Sequence, residues 1–106
     1  MMGSTGKKAL PTLERVRSHL IYTVGACDER VDALFDGAKT MGEVVDRLQR
    51  NDISWISLSG PDDVGDEIAR LFGFTDMGWP SAQRFTACRK RVNPRTLAAL
   101  ILRLKN

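Results

Sequence analysis

Short runs of apolar residues at helical spacing, each followed by a turn signal, are the feature that most constrains the fold of this chain. In the first run Leu13, Val16 and Leu20 share one side, Thr12 opens the segment and Gly25 ends it. Such spacing gives a helix one apolar side, and a series of short runs is typical of a bundle. The sequence therefore predicts an all-α, single-domain bundle of about five or six short helices.

Helix start signals place two further elements. Thr40–Glu43 is a capping box, in which the Thr side chain bonds the third helical amide and the Glu reaches back. The apolar spacing after it predicts a helix that ends around Asn51. Asn93 and Pro94 are a favoured N-cap and first residue of a last helix. Residues 53–58 fit either a short strand or a helical turn, because so short an apolar run does not distinguish the two.

Length and composition indicate one domain. We expect residues 1–10 to form a flexible N-terminal arm and residues 11–106 to form a single helical domain. The first residues have no apolar stretch behind their lysines, so they do not look like a secretion signal. Cys27 and Cys88 are predicted to be free thiols. Together these features predict a cytoplasmic protein with no membrane span.

Charge divides the chain sharply. The segment Met77–Asn106 has seven basic residues and no Asp or Glu, whereas Asp28–Asp76 holds twelve of the thirteen acids and five bases. A basic end can meet a polyanion, while an acidic body is repelled by one. The alternative is an ordinary solvated basic surface, although such surfaces usually mix the two signs.

Residues 61–92 combine two predicted helices with the basic segment. A Ser59–Asp62 cap with Pro61 opens the first helix, and Ser81–Val92 forms the second, after a turn at Thr75–Pro80. This arrangement resembles a helix-turn-helix DNA reader, although its turn is longer than is typical of that motif. The resemblance implies that the second helix enters the major groove of duplex DNA.

The second helix carries side chains suited to that role. Ser81, Gln83 and Arg84 lie at its N-terminal end, which usually touches base edges, and Gln and Arg pair adenine and guanine respectively. We expect the remaining basic residues to neutralise phosphates. The predicted nucleic-acid-binding residues are Ser81, Gln83, Arg84, Arg89, Lys90, Arg91 and Arg95.

A protein partner is the alternative target. Trp79 lies between Gly78 and Pro80 in a turn, where an exposed ring could anchor a partner. The last helix has a wide apolar side that either docks in the core or is shared across a homodimer. The predicted partner-binding residues are Trp79, Leu97, Leu100, Ile101 and Leu104.

Enzymatic chemistry has little support in the sequence. His19 is the single histidine and fits a structural role, and the acids at residues 62–67 suit the start of a helix better than a metal site. We predict no catalytic residue, no metal and no cofactor. The functional prediction is a small bacterial, phage or plasmid regulator that binds DNA as a homodimer and controls transcription. The alternative is an interaction module that inhibits or sequesters another regulator.

Overall fold

The computed structural model describes residues 12–58 and 62–105, in which the elements of secondary structure are helices and no strand is formed. This confirms the all-α prediction. The expectation for residues 1–10, and that for residues 59–61 of the Ser59–Asp62 cap, lie outside the described residues. A π-helical segment, His19–Val24, continues the first α-helix. The α-helices are α1 (Leu13–Ser18), α2 (Asp28–Phe35), α3 (Met41–Arg47), α4 (Arg50–Ser57), α5 (Asp62–Leu71), α6 (Ala82–Arg91) and α7 (Pro94–Arg103).

Local capping sets several helix starts where the sequence predicts them. The Thr12 side chain accepts from the Arg15 amide at 3.1 Å at the start of α1. Thr40 and Glu43 make both halves of the capping box before α3. The Asn93 side chain accepts from the Arg95 amide at 2.9 Å at the start of α7. Each bond joins residues two or three positions apart, so the sequence alone is enough to place it.

The predicted helix from Thr40 to Asn51 is in fact two helices. Backbone at Leu48 is extended, with φ −65° and ψ 138°, and α4 begins at Arg50 after Gln49 donates its amide to Asp52 at 2.9 Å. Residues 53–58 are therefore helical up to Ser57 and do not form a strand. This extra break raises the number of α-helices in the described residues to seven.

The last helix lies at the centre of the packing. It contacts α1, α3 and α5, and its apolar side closes the core. Leu97, Leu100, Ile101 and Leu104 are all buried there. The chain's own helices enclose these four side chains, which corrects their assignment to a partner surface. Trp79 is the one predicted partner-binding residue that is exposed.

His19 ties the start of the π-helical segment to the end of α7. Its Nε2 lies 2.7 Å from the carbonyl oxygen of Leu104, and the ring is half-buried. The contact confirms the structural role predicted for this residue. Gly25, with φ +87°, then ends the segment in the left-handed conformation that suits glycine.

Helices α4 and α5 approach each other closely at Gly65. A Cβ built on this glycine would overlap the backbone carbonyl oxygen of Ser57. Gly65 lies inside a helix, where glycine is otherwise unfavourable, so close packing explains its presence. Within the described residues, no helix is long and apolar enough to cross a membrane.

Candidate nucleic-acid interface

Helix α6 has one side in the core and the other in solvent. Ser81 caps it by accepting from the Arg84 amide at 3.1 Å. Phe85 is buried and stacks on Phe72, with ring centroids 5.6 Å apart. These contacts hold α6 against the core, so the side chains on its opposite side are exposed on a helix whose position is fixed.

Most of the predicted nucleic-acid-binding side chains lie on the open side. Seen along α6, Gln83, Lys90 and Arg91 lie away from Phe85. Arg84 lies seven residues before Arg91, so the two are about 10 Å apart along one side of the helix. The residues that the structure leaves exposed are Ser81, Gln83, Arg84, Lys90, Arg91 and Arg95.

Arg89 is the exception and has a structural role. Its Nη1 donates to the carbonyl oxygen of Leu48 at 2.7 Å, at the break between α3 and α4. Its guanidinium also lies over the Phe85 ring, 5.6 Å from the centroid. A half-buried arginine with these contacts stabilises the fold, so we remove it from the predicted phosphate contacts.

Among the described residues, no carboxylate neutralises the exposed positive charge of residues 77–105. In the described residues, no basic side chain of residues 77–105 lies within ion-pair distance of a carboxylate, whereas Arg17 pairs with both Glu14 and Asp32. Exposed cations without a carboxylate partner give a positive potential that favours an external anion. We call the side chains Arg84, Lys90, Arg91 and Arg95 the basic face.

The end of α5 meets α6 at a glycine. Gly73 has φ +92°, and a Cβ there would lie 3.1 Å from Cys88 Sγ and 3.3 Å from Pro80 Cβ. Phe74 donates its amide to Ala69 at 3.1 Å, the bond that closes a Schellman motif. The two helices of the predicted helix-turn-helix are thus joined by a ten-residue loop, 72–81, and α5 packs mainly against α4 and α7.

That loop contains a tight turn that displays apolar side chains. Thr75 and Gly78 exchange backbone hydrogen bonds of 3.1 and 2.9 Å, and the Met77 amide donates to the Thr75 hydroxyl at 3.1 Å. Met77 is 95% exposed and Trp79 is 53% exposed. The Trp79 ring meets Phe74 edge-on, with centroids 5.7 Å apart.

Trp79 also borders a hollow that sequence reasoning missed. The hollow has a volume of about 300 Å³ and is lined by Trp79 together with Gln49, Arg50 and Asn51. The Arg50 Nη1 donates to the carbonyl oxygen of Pro80 at 3.0 Å, which holds the start of α4 against the loop. No local pattern links residues this far apart in the chain, so only the fold brings them together.

A second hollow, between α1 and α2, has the opposite character. It has a volume of about 570 Å³, and its lining includes Glu14, Asp32, Asp36 and Arg17. Arg17 is already held by Asp32 at 2.8 Å, and this hydrogen bond raises the pKa of the guanidinium. The acidic lining would repel a polyanion, so this hollow is a poor candidate for a nucleic-acid site.

The possible metal ligands and the two cysteines were the remaining candidates for site chemistry. Across residues 12–58 and 62–105, no group of three or more His, Cys, Asp or Glu side chains is arranged to hold a metal ion. Cys27 and Cys88 are free, as predicted, with Cys27 exposed and Cys88 half-buried.

Comparisons with protein-family models, with curated proteins and with solved structures give no significant match to this chain.

Proposed function

We propose that this protein is a small DNA-binding regulator that contacts duplex DNA through α6 and the first turn of α7. The observation that carries the proposal is the basic face, four exposed cations without a carboxylate partner in the described residues. DNA offers a dense row of phosphates, and each neutralised phosphate releases counterions. The acidic segment Asp28–Asp76 would be repelled by the same polyanion.

The side chains divide between two kinds of contact. Gln83 lies in the first turn of α6, where a groove-bound helix reaches base edges. Arg84 and Arg91 share one side of the helix, and these two side chains, with Lys90 and Arg95, suit phosphates, which fix position without reading sequence. Because Phe85 anchors α6 in the core, binding would not have to order this helix.

Assembly and location belong to the same proposal. A homodimer would present two α6 helices to two half-sites, as dimeric groove readers do. Such a dimer would need a surface other than the buried side of α7. A DNA regulator of this kind would act in the cytoplasm.

A fluorescence anisotropy titration of a labelled duplex tests the proposal. At about 50 mM salt we expect a dissociation constant in the micromolar range or tighter. The double variant Arg84→Ala/Arg91→Ala should lose most of this affinity. The matched control is Arg15→Ala/Arg103→Ala, which removes two exposed charges elsewhere and should bind like the wild type. Absence of duplex binding by the wild type would overturn the proposal.

A protein target is the second candidate, and the turn between Thr75 and Gly78 favours it. Met77 and Trp79 are large, exposed apolar side chains in and beside a turn that backbone hydrogen bonds between Thr75 and Gly78 hold in place. Such groups are frequent anchors in protein interfaces. In that case Met77→Ala and Trp79→Ala should both weaken capture of the partner, and the duplex titration should show no binding.

A further inference from the structure

Trp79 is held in place but keeps much of its ring open. Phe74 contacts it edge-on, with an angle of 60° between the ring planes, and 53% of the residue is exposed. The ring forms one wall of the hollow beside the start of α4. An indole left this exposed loses hydrophobic stabilisation, so the position is better suited to a ligand than to the core.

The other walls of the hollow are polar and come from α4 and the residue before it. Arg50 uses one guanidinium nitrogen to bond the Pro80 carbonyl and has further donors. Gln49 donates its amide nitrogen to the Arg47 carbonyl at 3.4 Å, and its amide oxygen, which belongs to the capping box with Asp52, has a second lone pair that can accept. Asn51 is exposed and brings both a donor and an acceptor. An aromatic surface, a cation and two amides therefore face one space.

This set of groups matches a nucleobase and its phosphate. A base has a flat surface that stacks on indole, and its edge carries the donors and acceptors that side-chain amides recognise. A guanidinium beside it suits the adjoining phosphate. An apolar protein side chain would use the ring but would leave the remaining donors and acceptors of the amides and of Arg50 without partners, which is unfavourable.

The position of the hollow relative to α6 supports the same ligand. Trp79 lies two residues before Ser81, the N-cap of α6, so the Trp79 wall of the hollow is close to that end of the helix. A duplex lying on the basic face would bring one of its strands near this end. A base in the duplex is stacked and paired, so only an unpaired or extruded base could enter.

We propose that the Trp79 hollow binds one unpaired nucleobase, stacked on the indole, next to a duplex held by the basic face. This inference rests on the proposed DNA binding and specifies its substrate class: a duplex with a single-stranded extension, or one with an unpaired base. Recognition is by stacking and is tolerant of base identity, with the amides of Gln49 and Asn51 contacting the base edge.

The test compares three labelled duplexes that share one paired region. One is blunt, one has a short thymidine extension, and one has an extension of equal length made of abasic sites. The thymidine and abasic extensions carry the same charge, so their difference isolates the base. We expect the wild type to bind the thymidine-tailed duplex roughly 5- to 150-fold more tightly than the abasic-tailed one, the range for one stacked base.

Variants at Trp79 and Met77 test whether the Trp79 indole causes the preference for the thymidine-tailed duplex. Trp79→Ala should bind both tailed duplexes with equal affinity while binding the blunt duplex like the wild type. Trp79→Phe should keep part of the preference, because a phenyl ring also stacks. Met77→Ala is the matched control, since it removes an exposed apolar side chain that does not line the hollow, and it should keep the full preference. Equal thermal midpoints would show that the variants are folded.

The outcomes separate this inference from the proposed function. Equal affinity of the wild type for the two tailed duplexes, with binding to the blunt duplex intact, would overturn the base site alone. Equal loss in Met77→Ala and Trp79→Ala would also overturn it, since it would indicate a general apolar surface such as a protein contact. Failure to bind any of the three duplexes would instead overturn the proposed function.

Discussion

The salt dependence of duplex binding follows from the number of cations in the basic face. Each phosphate neutralised on duplex DNA contributes about −0.9 to the slope of log affinity against log salt concentration. Arg84, Lys90, Arg91 and Arg95 are exposed and have no carboxylate partner in the described residues. With all four on phosphates, the slope should be about −3.6, and affinity should fall about 150-fold between about 50 and 200 mM salt.

The double variant Arg84→Ala/Arg91→Ala halves this number. Its slope should be about −1.8, and the same change in salt should weaken its binding only about 12-fold. Anisotropy titrations of one duplex at four or more salt concentrations would give both slopes. The measurement reports a slope, so it remains informative even if the variant binds weakly at every salt concentration.

Two results would contradict this account. A variant slope equal to that of the wild type would mean that Arg84 and Arg91 do not contact phosphates. A wild-type slope of about −4.5 would indicate a fifth contact, as expected if Arg89 left the Leu48 carbonyl to bind DNA. The Arg15→Ala/Arg103→Ala control should keep the wild-type slope.

Three further predictions concern the fold. Gly65→Ala should lower the free energy of unfolding by about 1–3 kcal/mol because its Cβ would overlap the Ser57 carbonyl oxygen. Gly42→Ala should raise it by about 0.5–1 kcal/mol, because its Cβ would make ordinary contacts with Thr40 and Pro94 at 3.6 and 3.8 Å. Urea denaturation should therefore show opposite signs for the two variants. The hydrogen bond from the Lys39 amide lowers the pKa of Glu43. The Glu43 carboxylate therefore stabilises the folded state above the ordinary Glu pKa, and this stabilisation is lost as pH falls through the lower pKa of the folded state. Thermal midpoints at about pH 6 and pH 3 should therefore differ less in Glu43→Gln than in the wild type, and an equal difference would exclude this contribution. Leu97→Ala should cost about 2–5 kcal/mol, and a loss below about 1 kcal/mol would contradict its burial in the core.

Helix starts could be predicted because their causes are local. The bond between Thr40 and Glu43 joins residues three apart, and that between Asn93 and the Arg95 amide joins residues two apart. Any chain with these residues in sequence can make such bonds. The break after Arg47 could not be predicted, because the apolar spacing continues across it. The Asp52 side chain accepts from the Gln49 amide and starts a new helix there, and the spacing alone does not show that this cap prevails over a continuous helix.

In the candidate site, too, the local features could be predicted from the sequence and the long-range contacts could not. The exposed side of α6 follows from the apolar spacing that places Phe85 inward, so most of the basic face could be predicted. Arg89 could not be separated from its neighbours. Its bond to the Leu48 carbonyl spans 41 positions, and a sequence of adjacent basic residues gives no sign of it.

The sequence by itself determined where most helices begin, which sides of them are apolar, and that the last thirty residues carry only positive charge. Tertiary structure decided that the apolar side of α7 is buried within the chain and that Arg89 serves the fold. It also placed Gln49, Arg50 and Asn51 beside Trp79. The physical reason is distance along the chain: caps and helix faces depend on residues within about one turn. Partners such as Arg50 and Pro80 are 30 residues apart and meet only when the helices have packed.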